Sequence, residues 1–148
     1  KGDLLMYGKR DLDGALAAYR QAIAVRPNYV VAHSGALTVL LAKGDAAGAK
    51  TQLEALQKVL PKHPQTLYFA ASVALLGGEL DKAKEIGDQL LRLTNNNARI
   101  LQLVGAIEFE RKSWIQAETH LAKAVQLSPD LDVARRMLVA TYLRRSEP

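Results

Sequence analysis

The sequence predicts an all-α fold, an α–α solenoid of antiparallel helix pairs. The first observation is an internal repeat, because Ala15, Ala49, Ala83 and Ala117 follow one another at a constant step of about 34 residues, a period typical of stacked helical hairpins. The second is composition, since 49% of the residues are hydrophobic and only 5% are aromatic, as close packing of Ala- and Leu-rich helices requires. Strands are not expected.

Apolar spacing predicts each helix in turn. Between positions 13 and 25, for example, Ala15, Leu16, Tyr19 and Ala22 fall on one stripe at steps of three and four residues, which is the period of an amphipathic helix. Two such stripes occur in each period. The predicted helices span about 3–8, 13–25, 29–42, 46–59, 65–77, 80–93, 97–111, 114–127 and 131–145.

Turn and capping residues place the helix ends. Asp45, Ser113 and Asp130 are predicted N-caps, and Ser113 with Gln116 fits a capping box. The connections are short, so neighbouring helices are expected to pack antiparallel. The turns inside the pairs are predicted at Arg10-Asp11, Gly44-Asp45, Gly78-Glu79 and Lys112-Ser113, and those between pairs at Pro27, Pro61, Asn95 and Pro129.

The frame of Ala15, Tyr19, Ala22 and Pro27 resembles the second half of a tetratricopeptide repeat (TPR), and it recurs from Ala49 and from Ala117. The resemblance implies a TPR-type right-handed superhelix. Residues 1–148 would then form one array, with repeats at approximately 1–29 (partial), 30–63, 64–97, 98–131 and 132–148 (partial). The chain starts at Lys1 and not at a methionine, and we interpret it as a fragment of a longer protein.

The third repeat departs most from the family pattern, with Gly87 at a position that is usually large and Asn95 in place of proline. Gly87 should cost about 1 kcal/mol of helix stability relative to Ala. It marks either a soft point or a place where two helices lie very close together.

A narrower resemblance lies in Ala134-Arg135-Arg136-Met137-Leu138-Val139-Ala140-Thr141-Tyr142-Leu143-Arg144, in Leu41-Ala42-Lys43-Gly44-Asp45 and in Gln52-Leu53-Glu54-Ala55-Leu56. These segments look like the TPR lipoproteins of the PEP-CTERM/exosortase system. The resemblance implies a bacterial protein of exopolysaccharide production and protein sorting or export. It also implies a periplasmic or lipid-anchored location in a Gram-negative cell, with any anchor outside this segment.

In the TPR frame, the first helix of each pair lines the concave surface that binds a partner. Tyr68 and Phe69 would supply apolar anchor area, although Phe69 could instead belong to the core. Arg99 and Arg136 could bind carboxylates through paired hydrogen bonds. The predicted partner-binding positions are Ser34, Thr38, Tyr68, Phe69, Ser72, Arg99, Gln102, Ala106, Arg136 and Ala140.

One TPR mechanism is not expected in this chain. TPRs that bind a chaperone's C-terminal carboxylate use Lys and Asn at two groove positions. The corresponding pairs here are Ser34/Thr38, Tyr68/Ser72, Gln102/Ala106 and Arg136/Ala140. The sequence therefore does not predict recognition of a chaperone tail.

The net charge of +5 and the pI near 9.6 raise the question of nucleic-acid binding. Most basic residues alternate with acidic ones, however, as in Asp81-Lys82-Ala83-Lys84-Glu85. Such alternation is typical of a solvated helix face, so a nucleic-acid partner is not expected. From charge alone, an acidic polysaccharide or an anionic membrane surface is equally compatible.

The sequence does not predict an enzyme, a metal site or a cofactor. His33, His63 and His120 lie in different predicted helices or turns, without HExxH spacing, a Gly-rich phosphate loop or a Ser-His-Asp arrangement. His63 is interpreted as a loop residue, His120 as a surface or packing residue, and Trp114 as core. Cys is absent, which excludes disulfides and thiolate metal sites from this segment.

The predicted function is a noncatalytic TPR scaffold whose concave surface binds a protein or peptide. The alternative is a structural spacer or self-assembly module that has no dedicated ligand in its groove.

Overall fold

The computed structural model describes residues 2–94 and 96–146, with side chains from residue 11 onward; the predicted turn residue Asn95 lies outside the described residues. The all-α prediction is confirmed, since every regular element among the described residues is an α-helix. The helices are α1 (Gly2–Val25), α2 (Val30–Ala42), α3 (Ala46–Val59), α4 (Pro64–Leu76), α5 (Leu80–Leu93), α6 (Ala98–Glu110), α7 (Trp114–Leu127) and α8 (Asp132–Arg145).

Helix starts reproduce the sequence period. We call α2, α4, α6 and α8 the first helices, and α3, α5 and α7 the second helices, of successive pairs. Each first helix begins exactly one period after the previous one, and each second helix does the same. The bounds predicted for the three second helices agree with the structure residue for residue. The period therefore sets where every pair begins.

The predicted break near Arg10 is wrong. Residues 3–8 and 13–25 were expected as two helices, but α1 continues through both. At the equivalent position, Gly44 follows α2 with a φ of +71°, a conformation that costs glycine little. For Arg10 the same conformation would cost about 1–2 kcal/mol, and arginine is a good helix former, so the helix continues. Lys112, the equivalent residue between α6 and α7, does adopt the left-handed conformation, with a φ of +64°. These two helices pack on each other.

Two of the three predicted N-cap positions are confirmed, and one of them has a capping hydrogen bond. The Asp45 carboxylate accepts a hydrogen bond from the backbone N–H of Gly48 at 2.9 Å. Ser113 occupies the N-cap of α7, but its side chain makes no capping hydrogen bond, so the capping box with Gln116 is wrong.

Asp130 is not the cap of α8. Leu131 is the N-cap residue, and the Asp130 carboxylate instead accepts a hydrogen bond from the Ser128 hydroxyl at 2.6 Å. The cap of α6, which the sequence analysis missed, is Asn97. Its side-chain oxygen accepts from the backbone N–H groups of Arg99 and Ile100 at 3.0 and 3.1 Å.

The described residues form two compact units that divide within α4, after Phe69. In the first unit, α1 packs on α2 and α2 packs on α3. In the second unit, α5 packs on α6, α6 on α7, and α8 on both α6 and α7. The core of the second unit includes a cluster of Leu101, Ala117, Leu121, Ala124 and Ala134.

Small residues let these helices approach closely. Ala83 and Ala117, one in each second helix of the second unit, are fully buried. A Cβ atom added to Gly105 of α6 would lie 2.6 Å from Cγ of Leu121 in α7, and one added to Gly87 of α5 would lie 3.3 Å from Val104 of α6. Gly87 therefore marks a close approach of two helices.

We expect Ala83→Leu to lower the free energy of unfolding by about 1–3 kcal/mol, because extra methylenes in a dense core force neighbouring side chains to move. Thermal and urea melts followed by circular dichroism would measure the loss. Lys82→Leu is the matched control, since Lys82 is exposed on the same helix. Equal melts for Ala83→Leu and the parent chain would contradict the packing register.

Candidate protein-interaction surface

The α2 positions of the predicted surface are Ser34 and Thr38. Thr38 is exposed and Ser34 is half-buried. The Thr38 hydroxyl donates to the backbone carbonyl of Ser34 at 2.9 Å. The Ser34 hydroxyl accepts from the side-chain amide of Gln65, at the start of α4, at 2.9 Å. Both hydroxyls therefore have local partners, and Thr38 keeps acceptor capacity toward solvent.

Tyr68 and Phe69 contact each other edge to face, with ring centroids 5.8 Å apart. Phe69 is only 7% exposed, so it supports Tyr68 from within the protein and offers little area of its own. Tyr68 is half-buried and has the better access to a ligand. Whether these side chains bind a partner stays a prediction. Ser72 of α4, in the second unit, is also half-buried.

In the second unit, α6 and α8 contact each other, which brings two predicted stretches of surface onto adjoining helices. Arg136 and Ala140 of α8 occupy the positions of Gln102 and Ala106 of α6, one period later. Arg99 and Arg136 are exposed, and neither makes a side-chain ion pair within the described part of the chain. The two guanidinium groups are thus available to carboxylates.

A shallow pocket opens at the start of α6, beside the α7–α8 connection. Arg99, Ser128 and Asp130 line it together with Asn97, Leu127 and Leu131. The pKa of the Asp130 carboxyl lies below its ordinary value, chiefly because Ser128 donates a hydrogen bond to it. A hydrogen bond from the backbone of Asp130 lowers this pKa further, and the positive charges of Arg135 and Arg99 make smaller contributions. A ligand in this pocket would meet the positive charge of Arg99 and the negative charge of Asp130 on the same rim.

Gln102 carries an unused polar atom. Its side-chain oxygen is buried and has no hydrogen-bond partner among the described residues. Buried polar atoms normally have a partner, and an atom with no access to solvent is out of reach of a ligand unless the Gln102 side chain moves.

A buried acid–base pair, absent from the sequence prediction, lies between α6 and α7. Glu108 is 3% exposed, and its carboxylate accepts from Nδ1 of His120 at 2.7 Å. Burying a carboxylate is costly unless it is paired, so His120 has a structural role here. At the same repeat position α2 has Leu40 and α8 has Tyr142, so Glu108 departs from the residues of its repeat neighbours.

His33 is also structural. It is buried in α2, with Nε2 2.7 Å from the carbonyl oxygen of Pro27 and Nδ1 2.9 Å from the side-chain amide nitrogen of Gln52. A carbonyl can only accept and an amide nitrogen can only donate. His33 therefore donates through Nε2, accepts through Nδ1, and ties the α1–α2 connection to α3. His63 lies in the α3–α4 connection, as predicted.

Trp114 lies half-buried at the start of α7 and stacks edge to face with Phe109, with centroids 5.2 Å apart. The guanidinium carbon of Arg144 lies 5.9 Å from the Trp114 ring centroid, a distance at which the cation attracts the ring face. Nearby, Arg145 forms an ion pair with Glu118. These contacts fasten the end of α8 to the start of α7.

No group of three or more His, Asp or Glu residues among the described residues could hold a metal ion. In the same part of the chain, no helix is both long and apolar enough to cross a membrane.

The architecture defines the class of protein first: an all-α repeat protein of helix pairs with a constant period. The model of the tetratricopeptide repeat family matches residues 6–65 and 40–107. This covers more than half of the chain, which therefore belongs to the tetratricopeptide repeat family.

Known proteins resemble the chain at low sequence identity. The DnaJ homolog subfamily C member 7 homolog of Schizosaccharomyces pombe is 28% identical over 103 residues, which are 67% of this chain and 22% of that protein. A thermophilic TPR protein of Thermus thermophilus superposes with a TM-score of 0.72 at 24% identity, over 89% of this chain and 73% of that one. YrrB, described as a TPR protein with an unusual peptide-binding site, superposes with a TM-score of 0.62 at 19% identity, over 95% and 73% of the two chains. The structural likenesses confirm the fold.

We expect His120→Ala to lower the free energy of unfolding by about 2–3 kcal/mol, because it leaves the Glu108 carboxylate buried without its donor. In a Glu108→Gln background, the same substitution should cost much less. Urea unfolding of the four chains of this double-mutant cycle measures the coupling. Thr119→Ala, at an exposed neighbouring position, is the control for loss of side-chain atoms on α7. Additive effects of the two substitutions would show that the pair does not stabilise the fold.

Proposed function

We propose that this chain is a noncatalytic interaction scaffold that binds an extended, acidic peptide segment of a protein through the exposed positions of its first helices. The observation that carries the proposal is the pair of exposed arginines, Arg99 and Arg136, on the adjoining helices α6 and α8. Guanidinium groups bind carboxylates through two parallel hydrogen bonds. Membership of a repeat family whose surfaces are extended and shallow supports binding over catalysis.

The other first-helix positions of the second unit fit the same ligand. Ala106 and Ala140 are half-buried, and their small side chains leave room for a backbone to approach. In the first unit, Tyr68 offers a half-buried ring supported by Phe69 to a ligand of that unit. Aromatic and arginine side chains carry a large share of the energy at protein interfaces.

We further propose that the cellular role is in bacterial exopolysaccharide production or PEP-CTERM protein sorting, with the protein exported and held by a lipid anchor outside this segment. The support is the resemblance of residues 134–144, 41–45 and 52–56 to the TPR lipoproteins of that system. Fractionation of the native host, with metabolic labelling by a fatty acid, tests it. A cytosolic, unlabelled protein would contradict it.

For the binding surface, we expect Arg99→Ala and Arg136→Ala each to weaken a selected peptide by about 30-fold, which corresponds to about 2 kcal/mol per anchor. The peptides are selected on the chain from an unbiased displayed library of 15-residue sequences, and dissociation constants are measured by fluorescence anisotropy. Arg92→Ala and Lys123→Ala are the controls, since both residues are exposed on second helices.

Equal affinities for all four variants would overturn the assignment of the surface. A library that yields no binder would favour the alternative, a spacer without a ligand. Binding of acidic peptides that does not weaken as salt rises would contradict the role of the arginines, because exposed charges are screened by salt.

A further inference from the structure

The pocket at the start of α6 carries two opposite charges that do not pair with each other. Arg99 and Asp130 both line it, and both are exposed. Among the described side chains, no ion pair joins them or engages either one. Opposite charges that stand apart on one rim can each pair with a charge of a ligand. A ligand that carries both signs satisfies both, whereas a purely acidic ligand meets Asp130 as a like charge.

A tight turn holds Asp130 at the rim. The backbone N–H of Leu131 donates to the carbonyl oxygen of Ser128 at 3.1 Å, which closes a turn over residues 128–131. Serine at the first position and proline at the second, here Pro129, are favoured in such turns. The Ser128 hydroxyl also donates to Oδ1 of Asp130 at 2.6 Å. An ionised carboxylate has about four acceptor sites, so capacity remains for a cation of the ligand.

Arg99 is attached to an equally fixed backbone. It belongs to the first turn of α6, and its N–H donates to the side-chain oxygen of Asn97 at 3.0 Å. Its guanidinium group offers donors that fit a carboxylate. Leu127, which is 46% exposed, adds an apolar wall to the pocket. The methylene stem of a lysine or arginine of the ligand can lie against such a wall while its charge reaches Asp130.

The fold does not require these two charges. Two periods earlier, in the first unit, the same repeat positions hold Val31 and Lys62, and both are exposed. That unit forms its helices with an apolar side chain and a cation where the second unit has a cation and an anion. The exposure of Asp130 does not come from the end of the sequence either, since Asn96, one period earlier and followed by three helices, is also exposed. The charges therefore belong to this pocket and not to the repeat.

We propose that this pocket selects peptides in which a Lys or Arg lies within two residues of the acidic residue that Arg99 binds. Asp130 binds the basic side chain and is the specificity-determining residue. In an extended peptide, residues two apart lie on the same face, so both can reach one pocket. This inference rests on the proposed peptide-binding function and narrows it, because Asp130 disfavours segments that are acidic throughout.

The experiment selects peptides from the same displayed library on three chains in parallel, which are the parent, Asp130→Asn and Glu110→Gln. Glu110→Gln is the matched control, because Glu110 is exposed at the opposite end of α6 and both substitutions remove one negative charge. We expect binders of the parent and of the control to carry a basic residue within two positions of an acidic one. Binders of Asp130→Asn should show no such preference.

One binder is then synthesised with its basic residue kept, changed to Gln or changed to Glu, and affinities are measured by fluorescence anisotropy. On the parent, the Gln peptide should bind about 3- to 5-fold more weakly, the effect of losing one exposed ion pair, and the Glu peptide more weakly still. On Asp130→Asn, the change to Gln should have no effect. On Asp130→Lys, which places the first unit's residue here, the Glu peptide should bind best of the three. Circular dichroism verifies that each variant folds.

Equal enrichment of basic residues on the parent and on Asp130→Asn, or equal weakening of the Gln peptide on both, would overturn the role of Asp130. If the peptides still lose affinity in Arg99→Ala, the proposed binding surface stands and only this selectivity is wrong. A library that yields no binder on the parent would overturn both the surface and the selectivity.

Discussion

The structure depends on close contact between the two helices of a pair, and a small residue makes that contact possible. Ala49 and Ala117 are fully buried in second helices, and Gly105 leaves no space for a Cβ atom beside Leu121. Side chains at the contact set the distance between packed helices, and dense interiors do not tolerate extra volume there. A small residue that recurs once in every period therefore allows the paired helices to approach closely.

This constraint explains which parts of the fold the sequence could predict. The starts of the pairs follow from the period, because packing between helices repeats with it. The period does not predict that α1 is continuous or that Ser113 makes no capping hydrogen bond. Both features depend on local terms of about 1 kcal/mol, such as the cost of a left-handed residue at Arg10 or a single capping hydrogen bond. These local contributions to the free energy can differ from one repeat to the next without altering how the helices pack.

For the predicted surface residues, the sequence could indicate the exposure of some side chains and not of others. The register correctly places Arg99 and Arg136 in exposed positions and cannot decide how far Phe69 is buried, since burial depends on the neighbouring helices. The pair of Glu108 and His120 is harder still. Its members lie on different helices, and no fixed spacing in sequence signals a contact that is set by how α6 and α7 are rotated against each other.

These observations explain why the family identifies the fold and leaves the ligand open. The residues that maintain the repeat, such as Ala83 and Ala117, are buried and cannot change without cost. Exposed first-helix residues such as Arg99 and Thr38 can change with an effect of about 0.5 kcal/mol or less on stability. Binding specificity can therefore diverge while the scaffold stays the same. Charge and exposed apolar area on particular helices, rather than the repeat itself, have to determine what this protein recognises.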